Sequence, residues 1–291
     1  ADKAKPPHPA YDCRRHSILS SLAELYGEDL PRTLLREHYR CDPAIIGFCN
    51  KKFYGGELIP YTSSGSEQAM LVHRTPEGNH MRRLREGGRF NQREIDAIKS
   101  ELIPKYHQKF ENSEIGIVTP YRRQADRAAD VLDQHSVDTV HKFQGRQKKV
   151  VILSTVLDET RLGRQGLPFV DDPKLVNVAV SRAVQLFILV TNHEMMPRSR
   201  HIKELAGYID YQNIYEGITD SAVISVFDLL YRKYSQRPRP LARRLKNEME
   251  YKSEDIIWTT LHNILAEDRY AHLTVGHHVL LRNLLPDLTR L

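Results

Sequence analysis

The chain of 291 residues is poor in cysteine, with three (Cys13, Cys41 and Cys49), and has one tryptophan and no long apolar run. Its longest strictly apolar stretch, Leu186 to Val190, falls far short of the roughly 20 residues needed to span a bilayer. No membrane partner is expected. The start, Ala1-Asp2-Lys3-Ala4-Lys5-Pro6-Pro7, lacks the apolar core of a secretory signal. The sparse cysteines form neither a CxxC pair nor an even disulfide set, which suits a reducing compartment and offers no metal-ligand spacing. The expected location is the cytoplasm, with no metal ligands among these residues. Charge of one sign is scarcely in excess either. With 43 Lys+Arg against 37 Asp+Glu, the net charge is +6, so the distribution matters more than the total.

What is present is an ordinary globular composition, 40% hydrophobic and 27% charged, with length enough for one large domain or two small ones. Basic residues cluster at Arg82-Arg83-Leu84-Arg85, at Arg122-Arg123, and from Arg146 through Lys149. A further stretch, Leu229 to Asn247, holds Arg232, Lys233, Arg237, Arg239, Arg243, Arg244 and Lys246 without an acid. Such patches can track phosphates, and they can equally be solvated surface.

From about Met70 to Asn192 short apolar strands alternate with helices. Strands are predicted at Met70–His73, Ile115–Val118, Val150–Leu153 and Leu186–Val190. Helices are predicted over Asn91–Tyr106, with Asn91 as cap, over Arg122–Gln134, and over Pro173–Gln185 with Ala183 on its core side. Earlier, Ile18–Tyr26 reads as a short amphipathic helix. Continuous apolar strands separated by helices imply an α/β domain, a parallel sheet covered on both faces. In such sheets ligands bind beyond the carboxyl ends of strands, which points to Thr119-Pro120-Tyr121, the segment leading to Gln144-Gly145, and Asn192 onward. After about Ala206 the texture changes: Tyr208, Tyr211 and Tyr215 read as loop, and Ser221–Tyr234 and Ser253–Ala266 as helices.

The window Val137 to Ser154 carries the densest chemistry. A turn at Gln144-Gly145 between two strands, followed by a basic patch, sets donors at a sheet edge, and glycine lets a phosphate approach the main chain. Alone it would serve as an ordinary loop. The segment Lys174 to Ala183 adds Asn177, Ser181 and Arg182 off its apolar stripe.

Four ordered segments together resemble the second RecA-like motor domain of superfamily 1 helicases, in particular the 5′-to-3′ group. They are Glu37-His-Tyr-Arg-Cys-Asp-Pro43 with Phe53-Tyr54-Gly55, then Ile117-Val-Thr-Pro-Tyr121, Thr139-Val-His-Lys-Phe-Gln-Gly-Arg146, and Asn177-Val-Ala-Val-Ser-Arg-Ala183. The resemblance covers roughly Leu30 to Asn192 and implies a RecA-like, P-loop-NTPase-type parallel sheet flanked by helices. It implies that Arg40 and Arg182 reach across an inter-domain cleft to the ATP phosphates, where permanently charged guanidinium groups can meet oxygens in pairs. Gln144, Gly145 and Gln147 would line the nucleotide site with them, Gln144 and Gly145 coupling it to the strand-binding face. Thr119, Pro120, Tyr121, Thr139, His141 and Lys142 would lie along single-stranded nucleic acid. Gln147 departs from the family, since many relatives carry an acid two residues after the glycine. An amide can bond a ribose or a water but cannot act as a base or neutralise a cation. The task of that position is left open.

No G-x-x-x-x-G-K-[ST] loop occurs in the sequence. The resemblance therefore implies ATP and Mg2+ held mainly by an amino-terminal RecA-like half, to which 1–29 would form the tail and linker. The expected organisation continues with the motor domain over 30–207, a basic connector over 208–247 and a small, mostly helical partial domain over 248–291. Glu250 to Trp258 and His277 to Asp287 resemble the opening of a restriction-endonuclease-like domain found behind some bacterial helicases, with Glu254 in the place of its early glutamate. Glu254 also fits an ordinary first-turn acid. His277-His278, on a strand, would point to opposite faces and make no metal site.

The expected function is thus the carboxyl-terminal motor half of an ATP-dependent helicase, moving on single-stranded nucleic acid, with DNA favoured by the nuclease-like tail. The chain alone is expected not to hydrolyse ATP. The alternative is a non-catalytic nucleic-acid-binding or regulatory module derived from a helicase.

Overall fold

The computed structural model describes residues 6–223, apart from 66–67, 77–79, 84–86, 159, 194 and 215. The readings of the Arg232–Lys246 connector, the Ser253–Ala266 helix, Glu254 and the His277-His278 pair lie outside the described residues. So do Tyr215 and all but the first three residues of the Ser221–Tyr234 helix; Ser221 to Val223 are not helical.

The chain opens with α1 (Ile18–Tyr26), β1 (Glu37–His38), α2 (Pro43–Phe53) and β2 (Ile59–Pro60). There follow β3 (Met70–Thr75), a hairpin of β4 (Met81–Arg83) and β5 (Arg89–Asn91), α3 (Gln92–Ala97) and α4 (Ile103–Tyr106). Next come β6 (Ile115–Thr119), α5 (Arg122–Val131), β7 (Ser136–Thr139), β8 (Lys148–Ser154) and α6 (Arg161–Val170). The described part closes with α7 (Pro173–Val180), β9 (Ala183–Asn192), α8 (His201–Gln212) and β10 (Ile218–Asp220).

Helix starts follow local chemistry. Two Asp-Pro pairs, Asp42-Pro43 and Asp172-Pro173, begin α2 and α7. Each Asp accepts from main-chain N–H groups of the first turn, while the proline supplies a preset φ where no donor is missed. Asn91 caps α3 in the same way. Between α3 and α4 the helix widens to a π turn over Ile98–Leu102.

Six strands form one sheet in the order β10-β3-β9-β8-β6-β7, all pairs parallel. The double coverage predicted for these continuous apolar strands holds residue by residue. Met70, Val72, Val118, Val151, Leu153, Phe187 and Leu189 point to one core with α2, α7 and α8. Leu71, Ile115, Ile117, Val150, Ile152, Leu186 and Ile188 point to the other, with Ile98, Leu102, Ile103 and Tyr106. Each buried aliphatic side chain of this kind stabilises the fold by about 1.5–3 kcal/mol relative to exposure.

Two local expectations are corrected. The predicted helix Pro173–Gln185 ends at Val180, because Lys148 N–H donates to the Arg182 carbonyl (3.2 Å) and Ala183 pairs with Lys148, so sheet pairing claims those residues. Ala183 is accordingly the first residue of β9. Tyr208 and Tyr211, read as loop, lie in α8, whose Ile202, Leu205, Ala206 and Ile209 are buried. Gly47 makes room for this helix: a Cβ there would stand 2.7 Å from the Tyr208 hydroxyl, which donates to the Ala44 carbonyl at 2.9 Å.

Helix α8 runs through residue 207, and β10 then joins β3, so the sheet continues to Asp220. Arg74 clasps Asp220 at 2.7 and 2.8 Å, and Glu101, presented by the π turn, accepts from the Ser221 hydroxyl and the Ala222 N–H. No helix among the described residues is long and apolar enough to cross a membrane.

Candidate functional site

The proposed nucleotide residues meet at the amino edge of the sheet, not beyond its carboxyl ends. Arg182 occupies the turn between α7 and β9, and Arg40 stands just before α2. Their loops are tied together, since Asp42 N–H donates to the Val184 carbonyl (2.7 Å) and the Cys41 thiol lies 3.4 Å from the Ser181 carbonyl. Burial presses the Arg182 guanidinium below its ordinary value, and the nearby positive charge of Arg40 adds to this. Neither arginine forms an ion pair among the described residues, and Arg182 Nε is buried without a hydrogen-bond partner. Two converging cations, one partly desolvated and short of an acceptor, fit a phosphate anion. His38, whose imidazole is pushed below its ordinary value mainly by burial and then by Arg40, accepts from the Cys41 N–H at 3.0 Å and fixes the turn behind Arg40. A groove of about 860 Å³ opens beside Arg40, lined also by Tyr61, Lys105 and Gln185. Tyr61 stacks on the exposed Tyr39, with ring centroids 5.1 Å apart.

The segment from Thr139 to Lys148 crosses from the carboxyl to the amino edge. Phe143 is fully buried against β6, and Gly116 permits this, because a Cβ there would lie 2.8 Å from the Phe143 ring. Gln144, Gly145 and Gln147 therefore emerge, exposed, near the amino edge, Gly145 with φ +86°. The segment leading to Gln144-Gly145 thus starts beyond the carboxyl end of β7, as expected, while the turn itself lies just before the amino end of β8. The pairing of Lys148 with the Arg182 carbonyl brings it beside the arginines.

At the carboxyl edge the predicted residues divide. Thr119 and Pro120 are buried, and the Thr119 hydroxyl accepts from the Tyr121 N–H at 3.5 Å, so these two shape the turn rather than present a surface. Tyr121 is half-buried, Thr139 half-buried beside Thr119, and His141 and Lys142 are exposed. Asn192 is buried and donates to the Pro76 carbonyl at 3.2 Å, which removes it from a ligand role at that edge.

Around Tyr121 stand two residues that motif spacing did not identify. Arg89 Nη1 donates to the Tyr121 hydroxyl at 3.4 Å, its guanidinium carbon 5.7 Å from the ring centre. Phe169, 45% exposed, tilts against the same ring at 5.3 Å. Gly166 in α6 is required for this approach, since a Cβ would meet Arg89 Nη1 at 2.5 Å and the Tyr121 hydroxyl at 2.8 Å. The signal in the sequence was only an unassigned aromatic and an arginine in the segments flanking the motifs.

Beneath this edge runs a buried polar network. Glu94 is fully buried; burial pushes its carboxyl up to about 7, although Ser154, Thr155 and the N–H groups of Val156 and Leu157 donate to it. Gln124 bridges Asn91 and Ser154 within the same network. Val156 adopts φ +60°, a left-handed conformation costly for a β-branched residue, and its N–H is held by Glu94 at 2.8 Å. The loop so fixed leads into α6 and hence to Phe169. Among the described residues no three His, Cys, Asp or Glu side chains converge as a metal set.

The family described as AAA domain matches residues 15–194. MOV-10 of Gallus gallus, named a helicase, is 29% identical over 233 residues, spanning 64% of this chain and 23% of that protein. RNA helicase Mov10l1 of Mus musculus is 26% identical over 209 residues, spanning 64% of this chain and 18% of that protein. The chain thus spans less than a quarter of the length of these curated relatives. The solved C-terminal domain of a possible DNA helicase from Lactobacillus plantarum WCFS1 is 13% identical, with a TM-score of 0.35 over 53% of this chain and 87% of that one.

Proposed function

Because this chain belongs to the AAA domain family and carries a superfamily 1 helicase motor domain of RecA-like fold, we propose that its two sheet edges couple ATP hydrolysis to movement along single-stranded nucleic acid. The observation that carries the reading is the meeting of Arg40 and Arg182, without an ion pair among the described residues, with the buried, unpartnered Nε of Arg182. ATP supplies the phosphoryl group whose transfer to water releases the energy. The chain's own part is to set two guanidinium groups against the charge that develops on that group. Gln144, Gly145 and Gln147, beside them, connect this edge through Phe143 to Thr139, His141 and Lys142.

A P-loop has to come from elsewhere, since the sequence contains none. We assign it to an amino-terminal RecA-like half that also holds Mg2+. Helix α1 supports this: Ile18, Leu19, Leu22 and Tyr26 are all exposed and the helix buries no residue, which leaves an apolar face for such a half to cover. At the opposite edge Tyr121 offers a ring to a base, and Lys142 a charge to a phosphate. RNA is favoured over the DNA suggested by the sequence, because the names of relatives such as Mov10l1 specify RNA helicases.

The test is ATP hydrolysis by a protein joining both motor halves, with and without single-stranded RNA or DNA, beside Arg182→Ala. Stimulation that the substitution abolishes while strand binding persists is expected. Equal hydrolysis by both proteins would remove the arginines from the reaction. Strand binding without any hydrolysis would favour a regulatory binding module, and this chain without the other half is expected to give no hydrolysis.

A further inference from the structure

The hairpin β4–β5 sets like charges against each other. Its register pairs Arg82 with Phe90 and Arg83 with Arg89. Side chains directly opposite on an antiparallel pair share one face with Cβ atoms about 4.5–5.5 Å apart, where like charges destabilise. A two-stranded hairpin is marginal to begin with. Yet neither Arg83 nor Arg89 has a carboxylate partner among the described residues. Arg83 is exposed, while Arg89 places Nη1 against the Leu162 carbonyl (3.1 Å) and the Tyr121 hydroxyl, which leaves its Nε and Nη2 without a partner among the described residues.

The hairpin is nonetheless held firmly. Met81 N–H donates to buried Asp158 at 2.5 Å, Phe90 lies under the Arg127 guanidinium at 3.8 Å, and Asn91 N–H donates to Gln124 at 2.8 Å. Its uncompensated face is the one that Arg89 turns toward Tyr121, and Phe169 stands exposed on the same ring. One cation held against the first of two adjoining aromatic rings, with a second cation opposite it in the hairpin register, suits a ligand with anionic charge and flat faces in alternation. A single-stranded nucleic acid has both. An acidic peptide has only the charge.

We propose that the β4–β5 hairpin is a second phosphate-binding element, in which Arg83 and Arg89 take the sugar–phosphate backbone of a single strand whose bases lie against Tyr121 and Phe169. This rests on the reading that the carboxyl edge carries single-stranded nucleic acid. The hairpin extends that track beyond the four helicase-like segments, on residues that lie in none of them.

The experiment is binding of this chain to a dye-labelled oligouridylate between 50 and 200 mM salt, roughly the range over which phosphate contacts are read. Wild type, Arg83→Gln and Tyr121→Ala are compared, each with its melting temperature. Arg83→Gln is expected to weaken binding severalfold and to flatten the slope of log K against log salt by about 0.7, one single-strand phosphate contact. Its melting temperature should hold or rise, because a repulsion is removed, whereas a merely structural arginine would lower it. If wild type binds and Tyr121→Ala weakens it while Arg83→Gln keeps affinity and slope, the hairpin proposal falls and the carboxyl-edge reading stands. If wild type binds no oligonucleotide, both fall. Competition by polyglutamate as strong as by unlabelled oligonucleotide, lost in Arg83→Gln, would reassign the hairpin to an acidic protein.

Discussion

Among the described residues, two cations at the amino edge of the sheet, Arg40 and Arg182, converge without a carboxylate, whereas at the carboxyl edge a carboxylate, Glu94, is buried without a cation. Both are electrostatically costly, and they are tolerated differently. Arg40 borders an open groove and Arg182 stands beside it with an unsatisfied Nε, so an arriving anion can satisfy them. Glu94 is enclosed by neutral donors that fix a loop, and nothing from outside can reach it. One edge is built to receive charge and the other to hold a shape on which rings and surface arginines are mounted.

The largest effect should come from the receiving edge. In a protein with both motor halves, Arg40→Ala or Arg182→Ala should reduce ATP hydrolysis by roughly 10³-fold or more, as for arginine fingers. Strand affinity should change little. A loss of strand binding as large as the loss of hydrolysis would erase the division between the edges.

Next in size is the pH response of Glu94. Its carboxyl stands at about 7 in the fold against an ordinary 4.5. A raised value means that the contribution to stability is full below the unfolded value and is lost as pH rises through the folded one. Unfolding free energy should therefore fall by roughly 3 kcal/mol from this group between about pH 4.5 and 7. Glu94→Gln should flatten that fall in urea titrations at stepped pH. Identical slopes in the two proteins would mean that the carboxyl titrates as an ordinary acid.

Tyr121→Ala should weaken single-strand binding by about 1–3 kcal/mol, the worth of one stacked base. Unchanged affinity in a folded variant would take the ring out of the interface. The smallest effect is reserved for Arg122, which also stands at the carboxyl edge but lies 2.7 Å from Asp126 and 3.2 Å from Asp138. Already paired and exposed, it should contribute less than about 1 kcal/mol to stability. Arg122→Gln should leave the salt slope of binding as it was, in contrast to Arg83→Gln.

That contrast also marks how far the sequence was legible. Arg82-Arg83 and Arg122-Arg123 look alike as letters, and only the carboxylates that the fold brings near separate Arg83, without one among the described residues, from Arg122, with two. The parallel sheet was readable because its strands are unbroken apolar runs, buried on both faces. The end of α7 was not, because Ser181 and Arg182 leave the helix under pairing that comes from Lys148. The meeting of Arg40 with Arg182 rested on resemblance, since no local pattern joins residues so far apart. Phe169 and Arg89 escaped notice because their value depends on Gly166, a glycine whose purpose appears only when Tyr121 is in place. Glu94 carries no mark of its own in the sequence, where it is one more polar residue of the predicted Asn91–Tyr106 helix, and in the fold it is the holder of Val156.

The strand order carries a consequence for how this polypeptide is made. Strand β3 lies between β9 and β10, so neither neighbour exists until more than a hundred further residues have been joined. At ribosomal rates of about 5–20 residues per second, its apolar side chains wait on the order of 6–20 seconds for β9 alone. During that interval Met70 to Val72 are an unshielded adhesive segment. Cellular yield should then depend on holding factors and on growth temperature more than on the final stability of the sheet, and slowing synthesis after residue 75 should increase the insoluble share.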